Sequence, residues 1–132
     1  MTSFRAQQGG YIALLMLLIV GAATTAIALV LLTTGTDAQR SALITQQSIQ
    51  ARQLANACAE EALQQIHDTT SYTGTSSLTL GAGNCSYTVT NTGTSTRTIT
   101  TTATVGATTR KLAVYVTIGS SSISITSWQE VS

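Results

Sequence analysis

Few side chains in this 132-residue chain are equipped for chemistry: one histidine, two cysteines, six Lys or Arg and five Asp or Glu. Glu60 and Glu61 are the adjacent carboxylates, the residue types that share general acid and base work when they converge on one substrate. On a helix, neighbouring positions diverge by about 100°, so this pair reads as a solvated face. His67 stands near the expected end of a helix, where a positive charge suits the C-terminal dipole, and no second histidine exists to complete a metal site. Cys58 and Cys85 alone make a poor zinc site. They are left as a disulfide or as two free thiols. No Ser/His/acid or Cys/His set has usable spacing, and no glycine loop is shaped to cradle phosphate. The expectation is a non-enzyme with no catalytic, cofactor-binding or metal residues. A net charge of +1 gives no basic patch, so no nucleic-acid partner is expected.

The elements matter more than the reactive groups. Only 8 % of residues are charged, against roughly a quarter in ordinary soluble domains, and the apolar weight lies at the front. From Tyr11 to Leu32 the chain reads YIALLMLLIVGAATTAIALVLL, without a charge. About 22 helical residues rise roughly 33 Å, enough for a hydrocarbon layer of ~30 Å. A secretory signal has a shorter apolar core of ~7–15 residues and a small-residue cleavage site, which this run lacks. The reading is a single transmembrane helix. Arg5 before it favours a cytoplasmic N-terminus and an exported C-terminal part.

After the span, TTGTD (Thr33–Asp37) is the weakest helical stretch, because Gly35 costs about 1 kcal/mol relative to Ala. A kink or short break is expected there. Ala38 to Asp68 then reads as one amphipathic helix, within a segment assigned to residues 33–68. Ala51, Ala55, Cys58, Ala62 and Ile66 recur at spacings of three and four, forming a narrow stripe that Leu54 and Leu63 widen. A stripe of small residues permits close approach by a sheet.

Residues 69–132 are rich in Thr and Ser, beginning with an expected loop at Thr69–Ser76. Alternation then places Cys85, Tyr87 and Val89 on one face, followed by Ile99, Ala103 and Val105 with Thr101 in register. Next come Leu112, Val114, Val116 and Ile118, and lastly Ile123 and Ile125, with Trp128 on the opposite parity. That makes about four antiparallel strands joined by turns near Gly93 and Gly106. The fold class is α+β: a long N-terminal helix packed on a C-terminal antiparallel sheet. So small a sheet has little core. Cys58 lies on the helix stripe and Cys85 on the inner strand face, so the two point into one interface. A disulfide there closes a loop of about 27 residues, worth roughly 3–4 kcal/mol in the chain-entropy model, and favours an oxidising, exported location. The alternative is two buried thiols.

The head MTSFRAQQGG, set directly against the apolar run, resembles the leader of type IV pilins and pseudopilins. The order and proportions of the whole chain are pilin-like too. The resemblance implies that residues 1–10 are a leader, that a prepilin peptidase cuts between Gly10 and Tyr11, and that Tyr11 is then N-methylated. Leu15 occupies the fifth mature position, where the family usually has a glutamate. In the family that carboxylate is thought to pair with the N-terminal amine of a neighbouring subunit. Its absence points to a minor or atypical subunit. A cysteine pair bracketing the C-terminal part, another family feature, is also absent.

The expected function is therefore structural: a subunit of a type IV pilus or type II secretion-like filament, with itself and other pilins as partners. The subunit waits in the lipid of the cytoplasmic membrane, N-terminus inside and C-terminus outside. It is then drawn into an extracellular filament that serves adhesion, motility, DNA uptake or secretion. Gly21, Ala22, Thr25 and Ala26 are the helix-packing candidates, small enough for close approach between spans. The alternative is an uncleaved, single-pass anchored domain acting as an extracellular binding module.

Overall fold

The computed structural model describes residues 4–132, with side chains from Gly9 onward. Met1–Ser3, the start of the expected leader, lie outside the described residues. Among those described there are one helix and five strands: α1 (Phe4–Asp68), β1 (Gly74–Leu80), β2 (Gly83–Asn91), β3 (Thr96–Val105), β4 (Thr108–Ile118) and β5 (Ile123–Val131). The chain forms two compact units, Met1–Ala42 and Leu43–Ser132.

In the first unit α1 runs without interruption, which corrects the expected break at Thr33–Asp37. The threonine hydroxyls, which otherwise compete for backbone groups, fold back onto the helix itself. Thr33 and Thr34 donate to the Val30 carbonyl at 2.9 Å, and Thr36 donates to that of Thr33 at 2.8 Å. Gly35 is thus carried in a helix whose neighbouring polar groups are satisfied internally. The helix also passes through Gly9 and Gly10.

In the second unit, residues 43–68 of α1 lie on one face of a five-stranded antiparallel meander, order β1-β2-β3-β4-β5. Ala51, Ala55, Cys58, Ala62 and Ile66 are fully or almost fully buried, as the stripe implies, and Leu54 and Ala59 join them. Facing them are Cys85, Tyr87 and Val89 of β2, Ile99, Ala103 and Val105 of β3, and Leu112, Val114 and Val116 of β4. Four alanines on the helix side bring its backbone close to the sheet and leave little room for water.

Five strands replace the expected four, and β1 begins at Gly74, inside the segment read as a loop. The sequence missed it because β1 is an edge strand on which only Leu78, opposite Cys85, packs against the core. So little apolar alternation is invisible without the neighbouring strand. Two hairpins close through the same dipeptide, Gly81-Ala82 and Gly106-Ala107, with each glycine near φ +60°. Glycine at the first central position of a two-residue loop matches the right-handed twist of the flanking strands.

The outer face is a Thr/Ser lattice. Hydroxyl pairs bridge neighbouring strands at Thr75–Thr88, Thr104–Thr109 and Thr117–Thr126, at 3.0 to 3.2 Å.

β5 supplies a second correction. Val116 pairs with Ile125, but Tyr115 pairs with Ser127, so Thr126 is an extra residue in a bulge. One inserted residue reverses the alternation beyond it. Trp128 therefore pairs with inward-facing Val114 and shares the helix-side face with Ile123 and Ile125, contrary to its parity in sequence.

Candidate functional site

The first candidate surface is the front of α1 itself. The Gly9–Asp68 stretch contains a window of mean hydropathy 2.6, none of it buried. It is long and apolar enough to cross a membrane. Tyr11, at the expected cleavage point, is 68 % exposed, and Leu15 is 40 % exposed. Gly21, Ala22, Thr25 and Ala26 are all exposed, and a Cβ added at Gly21 would meet nothing within 4 Å. Thr24 and Thr25 return their hydroxyls to the Gly21 carbonyl at 2.9 and 3.1 Å. Their polar atoms are thereby hidden in the helix, leaving methyl groups and a glycine notch on its surface. That surface suits hydrocarbon or another helix.

The second feature is covalent. Cys58 and Cys85 form a disulfide joining α1 to β2, with Cα atoms 6.3 Å apart, inside the normal range. Both residues are buried, so the bond lies within the small helix–sheet core.

The third was not legible in the sequence. Ser48, Arg52 and Asn56, spaced four apart, share one flank of α1, and Arg52 and Asn56 border a cleft of about 260 Å³ against β4 and β5. Arg110 of β4 directs Nε and Nη2 to Ser48 Oγ, and its Nη1 donates to Glu130 Oε1 at 2.9 Å. Arg52 Nη2 reaches Glu130 Oε2 at 2.8 Å. Trp128 Nε1 donates to Asn56 Oδ1 at 3.3 Å. Glu130 thus holds two guanidinium groups, while Lys111, opposite Thr102 in the register, belongs to the outer face of the sheet. The four-residue spacing was a usable signal. The partners on β5 were not, because the bulge decides which residues of that strand face the helix.

At the far end, Arg97 is buried on the core face of β3. Its Nη1 donates to Asn91 Oδ1 at 2.9 Å and its Nη2 to the Thr70 carbonyl at 3.2 Å. It ties the connection after α1 to the β2–β3 turn.

Glu60 and Glu61 do not converge. Glu60 is exposed, whereas Glu61 accepts from Gln65 Nε2 at 3.1 Å. His67 is exposed beside Asp68, with Nδ1 at 3.5 Å from a carboxylate oxygen. Among the described residues no three His, Cys, Asp or Glu side chains gather closely enough to hold a metal ion. Burial pushes the Tyr87 phenol above its ordinary 10.0, and hydrogen bonding to Tyr72 adds to the shift. Comparison with protein-family models, with curated proteins and with solved structures gave no match.

Proposed function

We propose that this chain is a non-enzymatic structural subunit of a pilin-like filament, held in the cytoplasmic membrane by Tyr11–Leu32 before assembly. One observation carries the reading. An unbroken helix is uncharged and uncovered from Tyr11 to Leu32, while its rear is stapled into a small, hydroxyl-coated sheet domain. Exposed Leu, Ile and Val side chains over some 22 residues demand lipid or copies of the same helix. The Gly21 notch and the internally bonded threonines suit both in turn.

The MTSFRAQQGG head supports prepilin-type processing between Gly10 and Tyr11, followed by N-methylation of Tyr11. In α1 the two glycines are helical, so a peptidase must unwind them. Glycine makes that cheap, since each costs a helix about 1 kcal/mol relative to Ala. With Leu15 at the fifth mature position, the subunit has no carboxylate there for a neighbour's amine. A minor or terminal place in the filament follows. The disulfide suits export to an oxidising compartment.

N-terminal mass spectrometry on material sheared from the cell surface tests the reading. The expected mature chain begins at N-methylated Tyr11. A chain that keeps residues 1–10 and stays entirely with the membrane fraction overturns it in favour of an uncleaved, anchored binding domain.

A further inference from the structure

The cleft on the β5 side of the Leu43–Ser132 unit has more bonding capacity than its own residues use. The bulge at Thr126 sets Trp128 and Glu130 on the helix-side face, opposite Val114 and Leu112 of β4. Ala55 and Leu112, both buried, line the cleft together with the Trp128 indole, which is 38 % exposed. The polar lining is only partly engaged. An ionised carboxylate offers about four lone-pair sites, and Glu130 uses one oxygen for Arg52 and the other for Arg110. An indole N–H can only donate, so the bond from Trp128 Nε1 fixes the Asn56 amide with its oxygen toward the ring. Asn56 Nδ2 is left without a partner among the described residues. Arg52 engages Glu130 through Nη2 alone, and its side chain is 63 % exposed. Free donors and a free acceptor thus stand side by side at the edge of an apolar patch.

Charge narrows the class of ligand. Arg52 and Arg110 are matched by Glu130 between them and by Glu60, one helical turn beyond Asn56 toward Ile123. With the charges balanced, the cleft favours neither an anion nor a cation. Its unused polar groups suit a ligand that both donates and accepts, as hydroxyls do and carboxylates and ammonium groups do not. The indole suits an apolar surface on the same ligand. A pyranose ring has both, with C–H bonds on one face and hydroxyls around the rim. A volume of about 260 Å³ admits one such ring and lies below the usual range for drug-sized ligands.

We infer that this cleft is a carbohydrate subsite for one neutral pyranose residue. The C–H face of the sugar lies on Trp128, one hydroxyl accepts from Asn56 Nδ2 and another donates to Glu130. Arg52 supplies a further N–H at the open side. The inference goes beyond the filament reading and does not depend on it, because the Leu43–Ser132 unit carries the cleft whether the chain is polymerised or anchored. The ring is either a free sugar or the terminal residue of a glycan, and both present the same chemistry.

Trp128 is the chain's one tryptophan, so the cleft carries its own reporter. Full-length protein in a detergent without a sugar headgroup is titrated with the methyl glycosides of glucose, galactose, mannose and N-acetylglucosamine. At least one should change the Trp128 emission saturably, with a Kd of about 1 mM, the affinity that ordinary per-atom efficiency gives a single ring. The same protein is applied to a printed panel of neutral oligosaccharides. Retention that the free glycoside reverses identifies a glycan as the source, and glycoside binding without retention identifies the free sugar. In either format Asn56→Ala and Glu130→Gln should each weaken binding about tenfold, the loss of one hydrogen bond, with circular dichroism melting used to verify folding. Tyr115→Ala, on the outer sheet face opposite Thr98, should leave binding unchanged. No saturable response to any glycoside together with no retention on the panel overturns the inference. So does binding that Tyr115→Ala abolishes and the cleft variants leave intact, or glucuronate binding more tightly than every neutral glycoside. None of these results bears on the filament reading, which the mature N-terminus tests separately.

Discussion

Replacing Cys58 and Cys85 together by alanine tests the central structural reasoning, because the disulfide spans the only apolar layer the Leu43–Ser132 unit has. The bond closes a loop with a sequence separation of 27. In the chain-entropy model that is worth about 3.5 kcal/mol at 25 °C. Alanine fits the site, since both cysteines already sit among alanines and valines, so little native packing is lost beyond the two sulfur atoms. For a domain of this size each kcal/mol moves Tm by about 4–8 °C, so the expected drop is about 14–28 °C. Trp128 is the chain's one tryptophan and lies on β5. Its fluorescence during thermal melting of detergent-solubilised protein therefore reports this unit without interference from the apolar span. Wild-type protein treated with reductant during the melt should fall by a similar amount. A variant melting within 3 °C of wild type would refute the view that so small a core depends on a covalent staple.

Three further expectations concern the same unit. Thr101 is fully buried with its hydroxyl unpartnered, so Thr101→Val should stabilise by about 1–2 kcal/mol, seen as a higher denaturant midpoint at unchanged slope. Gly83 lies under the helix, where an added Cβ would stand 2.7 Å from Val105 Cγ2 and 2.8 Å from Leu54 Cδ2. Gly83→Ala should therefore cost about 1–3 kcal/mol in the same assay. Burial raises the Tyr87 phenol above 10.0 in the folded chain, so the folded state holds that proton more tightly than the unfolded one. The associated stability is complete below the unfolded value and is lost as pH rises through the folded value. Stability measured from pH 8 to 11 should decline at the alkaline end, and Tyr87→Phe should flatten that decline.

The apolar run and the stripe Ala51, Ala55, Cys58, Ala62, Ile66 were legible in the sequence for one reason: a helix folds its own periodicity, and that periodicity stands in consecutive residues. The inward faces of β2, β3 and β4 were legible in the same way, through strict alternation in strands flanked on both sides. From Cys58 on the stripe and Cys85 on an inward strand face, the disulfide could be anticipated as well.

Other features depended on partners distant in sequence. β1 shows almost no pattern of its own and exists through its pairing with β2. Glycine at position 35 weakens a helix locally, yet hydroxyls returned to carbonyls one turn back let α1 pass through it. The bulge at Thr126 turned Trp128 toward Asn56 and brought Glu130 to two arginines, although strand parity put Trp128 on the other face. The amino-acid order alone determined which faces are apolar and where the two cysteines could meet, because those are properties of single elements. Which strands form the edges, and which charged groups gather on each flank, was decided only by tertiary pairing, because register is a relation between elements and one inserted residue reverses it.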